Sequence, residues 1–286
     1  VALGYGRDVS RFVEQKRVVK DRDIGPLIAT DLTRCIHCTR CVRFGAEIAG
    51  VRELGATGRG EHMTIGTYVQ RSVDSELSGN VIDLCPVGAL TSKPFRFHAR
   101  SWELTQADSI APHDCVGSNL HVHVRRNRVL RVVPRENEAV NEVWISDRDR
   151  FGYAGLDVDR LDQPMVKRNG AWQAVDWSTA LATAAKALQA AGGEVRTLVS
   201  PSATLEELYL AQKLTRGLGS PHVDHRLTQA DFRGDPADPS LPWLGQTLAS
   251  LEQNAATLLV GSNVRKDQPL IGLRLRKSTL RGGAVG

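Results

Sequence analysis

Cys35-Ile36-His37-Cys38-Thr39-Arg40-Cys41, a C-x2-C-x2-C run, is the feature that most limits what this chain can become. Cys85-Pro86 lies far downstream, and a fifth cysteine, Cys115, stands alone. Nothing in the sequence points to secretion, so a disulfide framework is not expected, and closely spaced thiols read as metal ligands. Two-residue spacers wrap a tight loop around three corners of an iron–sulfur cubane, in which each iron takes one thiolate, and a distant fourth cysteine closes the site. Pro86 would fix the chain direction after that fourth thiolate, and Gly88 would let the backbone turn away beside the cluster. Zinc is the alternative, but zinc favours two separated C-x2-C pairs or mixed Cys and His ligands in a tetrahedron. Three cysteines in consecutive two-residue steps fit one [4Fe–4S] cluster better, with Cys35, Cys38, Cys41 and Cys85 as its ligands. His37 lies inside the loop but is expected beside the cluster, because four thiolates already fill its corners. Arg34, Arg40 and Arg43 either raise the cluster's potential by favouring its reduced state or serve the surface and an interface.

The remaining chain divides by pattern. Residues 1–30 read as a charged connector and 31–104 as a small ferredoxin-like domain rich in glycine. Leu120–Arg125 and Val129–Val133 alternate like strands around an Arg126-Asn127-Arg128 turn, suggesting a hairpin-rich domain over 105–161. After Arg160 the pattern turns to strand–helix alternation. Residues 178–191 read as a helix stopped by Gly192-Gly193, and Val195–Ser200 as a buried strand. Thr204 with Glu207 forms a capping-box signature, followed by Leu208, Ala211, Leu214 and Leu218 on one helical face. A long loop is expected over 220–248, a strand over Thr257–Gly261 turning at Ser262-Asn263, and a basic helix from about Pro269. The fold class is therefore α/β with a parallel layer, attached to a ferredoxin-like and a hairpin-rich domain.

With 286 residues, 41% of them hydrophobic and 24% charged, the chain can bury several cores. Its net charge of +5 is spread among acids, and aromatics are only 5%, which argues against nucleic acid and suits acidic protein neighbours. No apolar run reaches the length of a membrane span, so direct insertion is not expected. Neither end carries an initiator Met, a signal pattern or a finished element, so an internal fragment of a longer protein is expected.

The stretches Asp31–Phe44 and Asp83–Lys93 closely resemble the large iron–sulfur subunit family of respiratory complex I, NADH-quinone oxidoreductase. So do Val116–Asn119, Asn141–Asp147 with its Trp-Ile-Ser-Asp segment, Asp224–Leu227 and Gly261–Lys266. That resemblance implies a relay carrying electrons from NADH, through FMN and iron–sulfur clusters, toward quinone, coupled to proton translocation. The chain would then be an oxidoreductase subunit, not catalytic alone. Its implied partners are the flavin-bearing and iron–sulfur subunits of a peripheral arm at the cytoplasmic face of the inner membrane. Family members carry a further [2Fe–2S] and a further [4Fe–4S] cluster upstream, whose motifs this chain lacks. Residues 105–161 resemble the domain that molybdenum enzymes place before their pterin domains. There the ligand positions hold Ala111, Asp114, Ser118 and Ser146, so no cluster is expected, and Cys115 would be a small buried or half-buried thiol. Residues 162–286 resemble the start of a molybdopterin-oxidoreductase α/β domain used as scaffold, with no molybdopterin expected. A fragment of a molybdopterin enzyme such as formate dehydrogenase, or a zinc-stabilised interaction module, is the competing reading.

Overall fold

A computed structural model describes residues 2–7, 9–67, 71–226 and 243–286. Two compact units divide the chain: Val1–Thr105, Val124–Leu130 and Trp144–Asp147 form the first, and Gln106–His123, Arg131–Val143 and Arg148–Gly286 the second.

In the first unit, helix α1 (Ala2–Tyr5) is followed by an extended stretch and strand β1 (Ile28–Thr30). The cysteine loop leads into helix α2 (Arg40–Arg43), which widens into a π-helical turn at Phe44–Ala49 and ends at left-handed Gly50. Strands β2 (Gly55–Thr57) and β3 (Thr64–Gly66) form an antiparallel pair. Helix α3 (Asn80–Leu84) then delivers Cys85 at its C-terminal end, and strand β4 (Leu90–Ser92) returns to pair antiparallel with β1. Ile24, Ile28, Leu32, Phe44, Ile65, Leu77, Val81, Leu90 and Ile145 form the buried core of this unit.

Strands β5 (Thr105–Ile110), β6 (Asn119–Arg125) and β7 (Arg128–Pro134) form one sheet in that order. The expected hairpin is present. Its turn residues Arg126 and Asn127 have φ of 51° and 60°, the left-handed pair that a two-residue hairpin loop requires. The exposed strand β5 is an addition to it, invisible to an alternation argument because all six of its residues face solvent.

Helix α4 (Asp147–Phe151) and the antiparallel pair β8 (Met165–Arg168) and β9 (Ala171–Ala174) precede helix α5 (Trp177–Ala191). Helix α5 starts at Asp176, whose carboxylate accepts the Thr179 N–H, and stops at Gly192 as expected. The strand expected over Val195–Ser200 shortens to β10 (Thr197–Leu198) and is not buried: Leu198 is exposed. It pairs parallel with β11 (Val223–Asp224), which interrupts the expected loop; residues 227–242 of that loop lie outside the described residues.

Helix α6 (Leu205–Gly217) opens with the expected reciprocal Thr204–Glu207 box, but its inward face differs from the one read. Leu214 is exposed, whereas Thr215 is buried and shares its hydroxyl with Thr197 Oγ1 at 2.6 Å. Strand β12 covers only Ala256–Thr257 and pairs parallel with β13 (Ala284–Val285). Helix α7 (Val264–Asp267) and the basic helix α8 (Pro269–Leu280) lie between them. Parallel pairing is thus present as expected, in two separate pairs among the described residues.

Glu252 and Glu142 are gripped by Arg274 and Lys277, with Arg281 adding a contact to Glu252 at 3.0 Å. Arg274 also donates to the Glu138 carbonyl, which ties α8 to the 138–142 loop.

Candidate iron–sulfur site

Local pairing explains how cysteines far apart in sequence come to one place. Thr30 stands opposite Leu90 in the β1–β4 register, and the Asp31 N–H donates to the Ala89 carbonyl at 2.8 Å. The chain leaving β1 reaches Cys35 within one short turn, Leu32–Arg34, and the chain entering β4 has just left Cys85. Antiparallel pairing therefore closes the ring that the sequence spacing leaves open. Gly88, between Cys85 and β4, has φ +66°, a conformation that side chains rarely adopt.

His37 and Thr39 are also left-handed, at φ 54° and 59°, so the C-x2-C-x2-C loop curls back on itself twice. All four cysteines line one cavity, completed by apolar groups that include Leu32, Ile65, Leu84 and Leu90. Leu32, Ile65 and Leu90 are buried and keep that part of the cavity from solvent, while Ile36 and Cys38, which also line it, are exposed. Burial pushes the Cys41 thiol up to about 11, and the charges of Cys35, Cys85 and Cys38 add to that rise. The Leu90 N–H donates to Cys85 Sγ at 3.4 Å, the kind of bond that stabilises a thiolate ligand.

The chemistry of the donor set bears on the choice between a cubane and a single zinc ion: a cubane takes one thiolate at each of four irons, and four cysteines line this cavity. His37 is also engaged elsewhere. Arg17 Nη1 lies 3.1 Å from His37 Nε2, and since a guanidinium only donates, that nitrogen must offer its lone pair. Four thiols lining one largely apolar cavity fit a [4Fe–4S] cluster.

Several supporting residues were not singled out from sequence. The stretch read as a connector is stitched along the cysteine loop. Asp21 accepts the Leu32 N–H at 2.7 Å, the Val19 N–H donates to Thr33 Oγ1 at 3.4 Å, and Arg17 donates to the Met63 carbonyl. Asn80 is buried in α3, where its amide donates to the Leu77 and Ile145 carbonyls and its oxygen accepts the Ile145 N–H at 3.2 Å. Asp147 accepts from Ser78 Oγ and from the Gly79 N–H, both at 2.6 Å, and so caps α3 from outside. Trp144 packs on Phe44 with ring centroids 5.0 Å apart. The Trp-Ile-Ser-Asp segment, noted in the sequence only for its resemblance, thus serves the helix that presents Cys85.

Of the four positions where molybdenum enzymes carry cysteines, Ala111, Ser118 and Ser146 are buried. The Ala111 N–H bonds the Ser118 carbonyl at 2.8 Å. Asp114 pairs with Arg148 at 3.1 Å, and burial nevertheless pushes its carboxyl above the ordinary range. His113 reaches the buried Asp149 at 2.9 Å, packed so close to Gly152 that an added Cβ would meet its ring at 2.6 Å. Cys115 is exposed, not buried as expected: its loop turns at Gly117, φ +66°, and directs the apolar Val116 inward instead.

Comparison with known proteins finds three family models along the chain. Residues 25–91 match the NADH-quinone oxidoreductase subunit 3 ferredoxin-like domain. Residues 104–154 match the NADH-ubiquinone oxidoreductase NDSU1/NuoG-like 4Fe-4S domain, and 160–285 match molybdopterin oxidoreductase. A ferredoxin-like domain followed by these two modules defines a class of redox scaffold. The chain is 45% identical to the NADH-ubiquinone oxidoreductase 75 kDa subunit of Reclinomonas americana, over 99% of this chain and 43% of that protein. It is 41% identical to the NADH-quinone oxidoreductase G subunit of Rickettsia conorii, over 100% of this chain and 43% of that protein. The chain belongs to the family formed by the G subunit of NADH-quinone oxidoreductase and the 75 kDa subunit, and spans less than half the length of these relatives.

Proposed function

We propose that this chain is an electron-relay segment of a proton-translocating NADH-quinone oxidoreductase, with one [4Fe–4S] cluster held by Cys35, Cys38, Cys41 and Cys85. The observation that carries the reading is that these four thiols, one of them far away in sequence, line a single apolar cavity. When bound, the cluster supplies one reversible one-electron site. The four cysteines would lose their protons to become its ligands. Leu32, Ile65 and Leu90 exclude water. The Leu90 N–H steadies the Cys85 sulfur, and Arg17 keeps His37 aside.

Electrons would enter from NADH through a flavin on another subunit and leave toward quinone. The partners are the flavin-bearing and iron–sulfur subunits of the peripheral arm, on the cytoplasmic face of the membrane. Among the described residues no helix is long and apolar enough to cross a membrane, which suits peripheral attachment. Further [4Fe–4S] and [2Fe–2S] clusters belong to the parts of the relatives that this chain does not span. The α/β region is scaffold without molybdopterin, and the 105–161 region holds no cluster because Ala111, Asp114, Ser118 and Ser146 offer no thiolates.

The test is anaerobic purification of the chain and its Cys85→Ala variant, with iron and acid-labile sulfide counted per chain. Four irons and four sulfides are expected in the parent, with a labile, iron-poor site in the variant. A colourless protein with one zinc would identify the interaction-module reading instead.

A further inference from the structure

Resting on the cluster assignment above, we infer that Arg17 is a positioning residue: it holds the cysteine loop at His37 in the strained shape that accepts the cluster. The strain sits on both sides of Cys38. His37 has φ 54° and Thr39 has φ 59° with ψ 7°, left-handed backbone that is uncommon outside glycine and an outlier for a β-branched threonine. Neither residue recovers that cost locally. The Thr39 side chain caps nothing at the start of α2, and the His37 ring reaches away from the loop to Arg17. Residues in such backbone persist only where their surroundings hold them. Thr39 is held from the downstream side, because its carbonyl accepts the Arg43 N–H at 2.9 Å as α2 begins. For His37, the hydrogen bond that the described residues provide is the one from Arg17.

Arg17 is built for that grip. Its Nη1 lies 3.1 Å from His37 Nε2, and its Nη2 donates to the Met63 carbonyl. Met63 directly precedes β3, whose buried Ile65 lines the same cavity as the four cysteines. A guanidinium is planar with its donors in a fixed fork, so one side chain sets the spacing between the ligand loop and a wall of the cavity. The segment behind Arg17 is anchored in turn. The Val19 N–H donates to Thr33 Oγ1 at 3.4 Å, and Asp21 accepts the Leu32 N–H at 2.7 Å. The Arg22 carbonyl accepts the Thr30 hydroxyl at 2.6 Å, and Arg22 Nη1 donates to the Thr67 carbonyl at 3.2 Å. Those partners belong to β1, the turn after it and the residue after β3, which frame the loop. Because these bonds already order the segment, Arg17 loses little further freedom in gripping His37. All of them run from protein to protein, so the loop is shaped ahead of loading and iron does not have to organise it.

The experiment follows loading of the whole 286-residue chain with ferrous iron and sulfide under anaerobic, reducing conditions. Visible absorbance gives the rate, and iron per chain is counted at the end point. Arg17→Met keeps an unbranched stem and drops the donors; His37→Ala drops the ring and keeps the left-handed cost. Each should load more slowly than the parent by roughly threefold or more. His37→Gly should load at the parent's rate, since glycine adopts left-handed backbone freely, and Arg17→Met should add no slowing in that background. Equal slowing by Arg17→Met in the parent and His37→Gly backgrounds would make the segment a general stabiliser and overturn the inference. Loading of His37→Ala at the parent's rate, or of His37→Gly as slowly as His37→Ala, would overturn it too. If Arg17→Met does not fold, the alanine and glycine comparison at His37 decides. A parent that binds four irons while its variants load alike would sink this inference and leave the cluster standing. A parent that takes up no iron, or one zinc, would remove both.

Discussion

Truncating Asn80 to alanine isolates the support that holds Cys85. Its side chain makes three hydrogen bonds, to the Leu77 carbonyl at 2.9 Å, to the Ile145 carbonyl at 2.8 Å and from the Ile145 N–H at 3.2 Å. The Leu77 carbonyl keeps another donor, the Asn80 N–H at 3.1 Å, so it is not stranded. Ile145 is completely buried, and its N–H and carbonyl both lose the Asn80 amide. A buried backbone group deprived of its partner costs about 1–3 kcal/mol, and two of them set the loss near 3 kcal/mol. That is a large share of the roughly 5–15 kcal/mol that holds a domain folded. Urea unfolding of the loaded chain, followed by circular dichroism and by the visible absorbance of the cluster, should show both signals failing earlier in Asn80→Ala. Asn80→Asp should do no better, because it keeps an acceptor for the Ile145 N–H but turns a carboxylate oxygen toward two carbonyls. A loss below about 1 kcal/mol, or full recovery in Asn80→Asp, would refute the claim that this amide fixes the helix.

Cys115→Ser should leave iron content and the reduced-state EPR signal unchanged, since Cys115 lies exposed and is no part of the four-thiol cavity; loss of a cluster signal would contradict the assignment. Glu252→Gln should destabilise the second unit at neutral pH. Burial works to raise the Glu252 carboxyl, but hydrogen bonds from Arg274 and Lys277 outweigh it and hold the group below its ordinary 4.5. Its contribution is then complete above pH 4.5 and fades as pH falls through the lowered value, so melting curves of parent and variant should converge in acid. Finally, the isolated loaded chain should be bleached by dithionite and not by NADH. The segment leading from β12 into α7, Val260-Gly261-Ser262-Asn263-Val264, has one glycine where a dinucleotide turn needs several, so direct bleaching by NADH without a flavin protein would demand a nucleotide site elsewhere.

That Cys35, Cys38, Cys41 and Cys85 meet at one cavity was legible because the pattern is local. A C-x2-C-x2-C loop must bend its thiols toward a common side whatever surrounds it, and Cys85-Pro86 completes a donor set that few metals share. Capping was legible for the same reason: Thr204 and Glu207 bond each other within one turn. The strap over 17–22 was not legible, because Arg17, Val19 and Asp21 act through single bonds to Met63, His37, Thr33 and Leu32, and nothing periodic marks them. Asp147 likewise caps a helix that precedes it by more than sixty residues in the chain, a pairing that only the folded unit creates.

Helix α6 shows where periodicity stops informing. Leu208, Ala211, Leu214 and Leu218 share a stripe, but Thr215 is the residue that turns fully inward, because its hydroxyl can donate along the helix while its oxygen accepts from the Thr197 hydroxyl. It bonds the Ala211 carbonyl at 2.7 Å along the helix and Thr197 Oγ1 at 2.6 Å on the short strand β10. Apolar periodicity ranks the faces of a helix by their oil-like character and assigns a threonine to neither side. The strand decides, since a leucine in that place would leave the half-buried Thr197 hydroxyl without this partner. The same logic governs the 111–118 loop. With no thiolate at its ligand positions, the buried carboxylates there are met by partners that reach the surface: Asp114 pairs with Arg148 and Asp149 with His113.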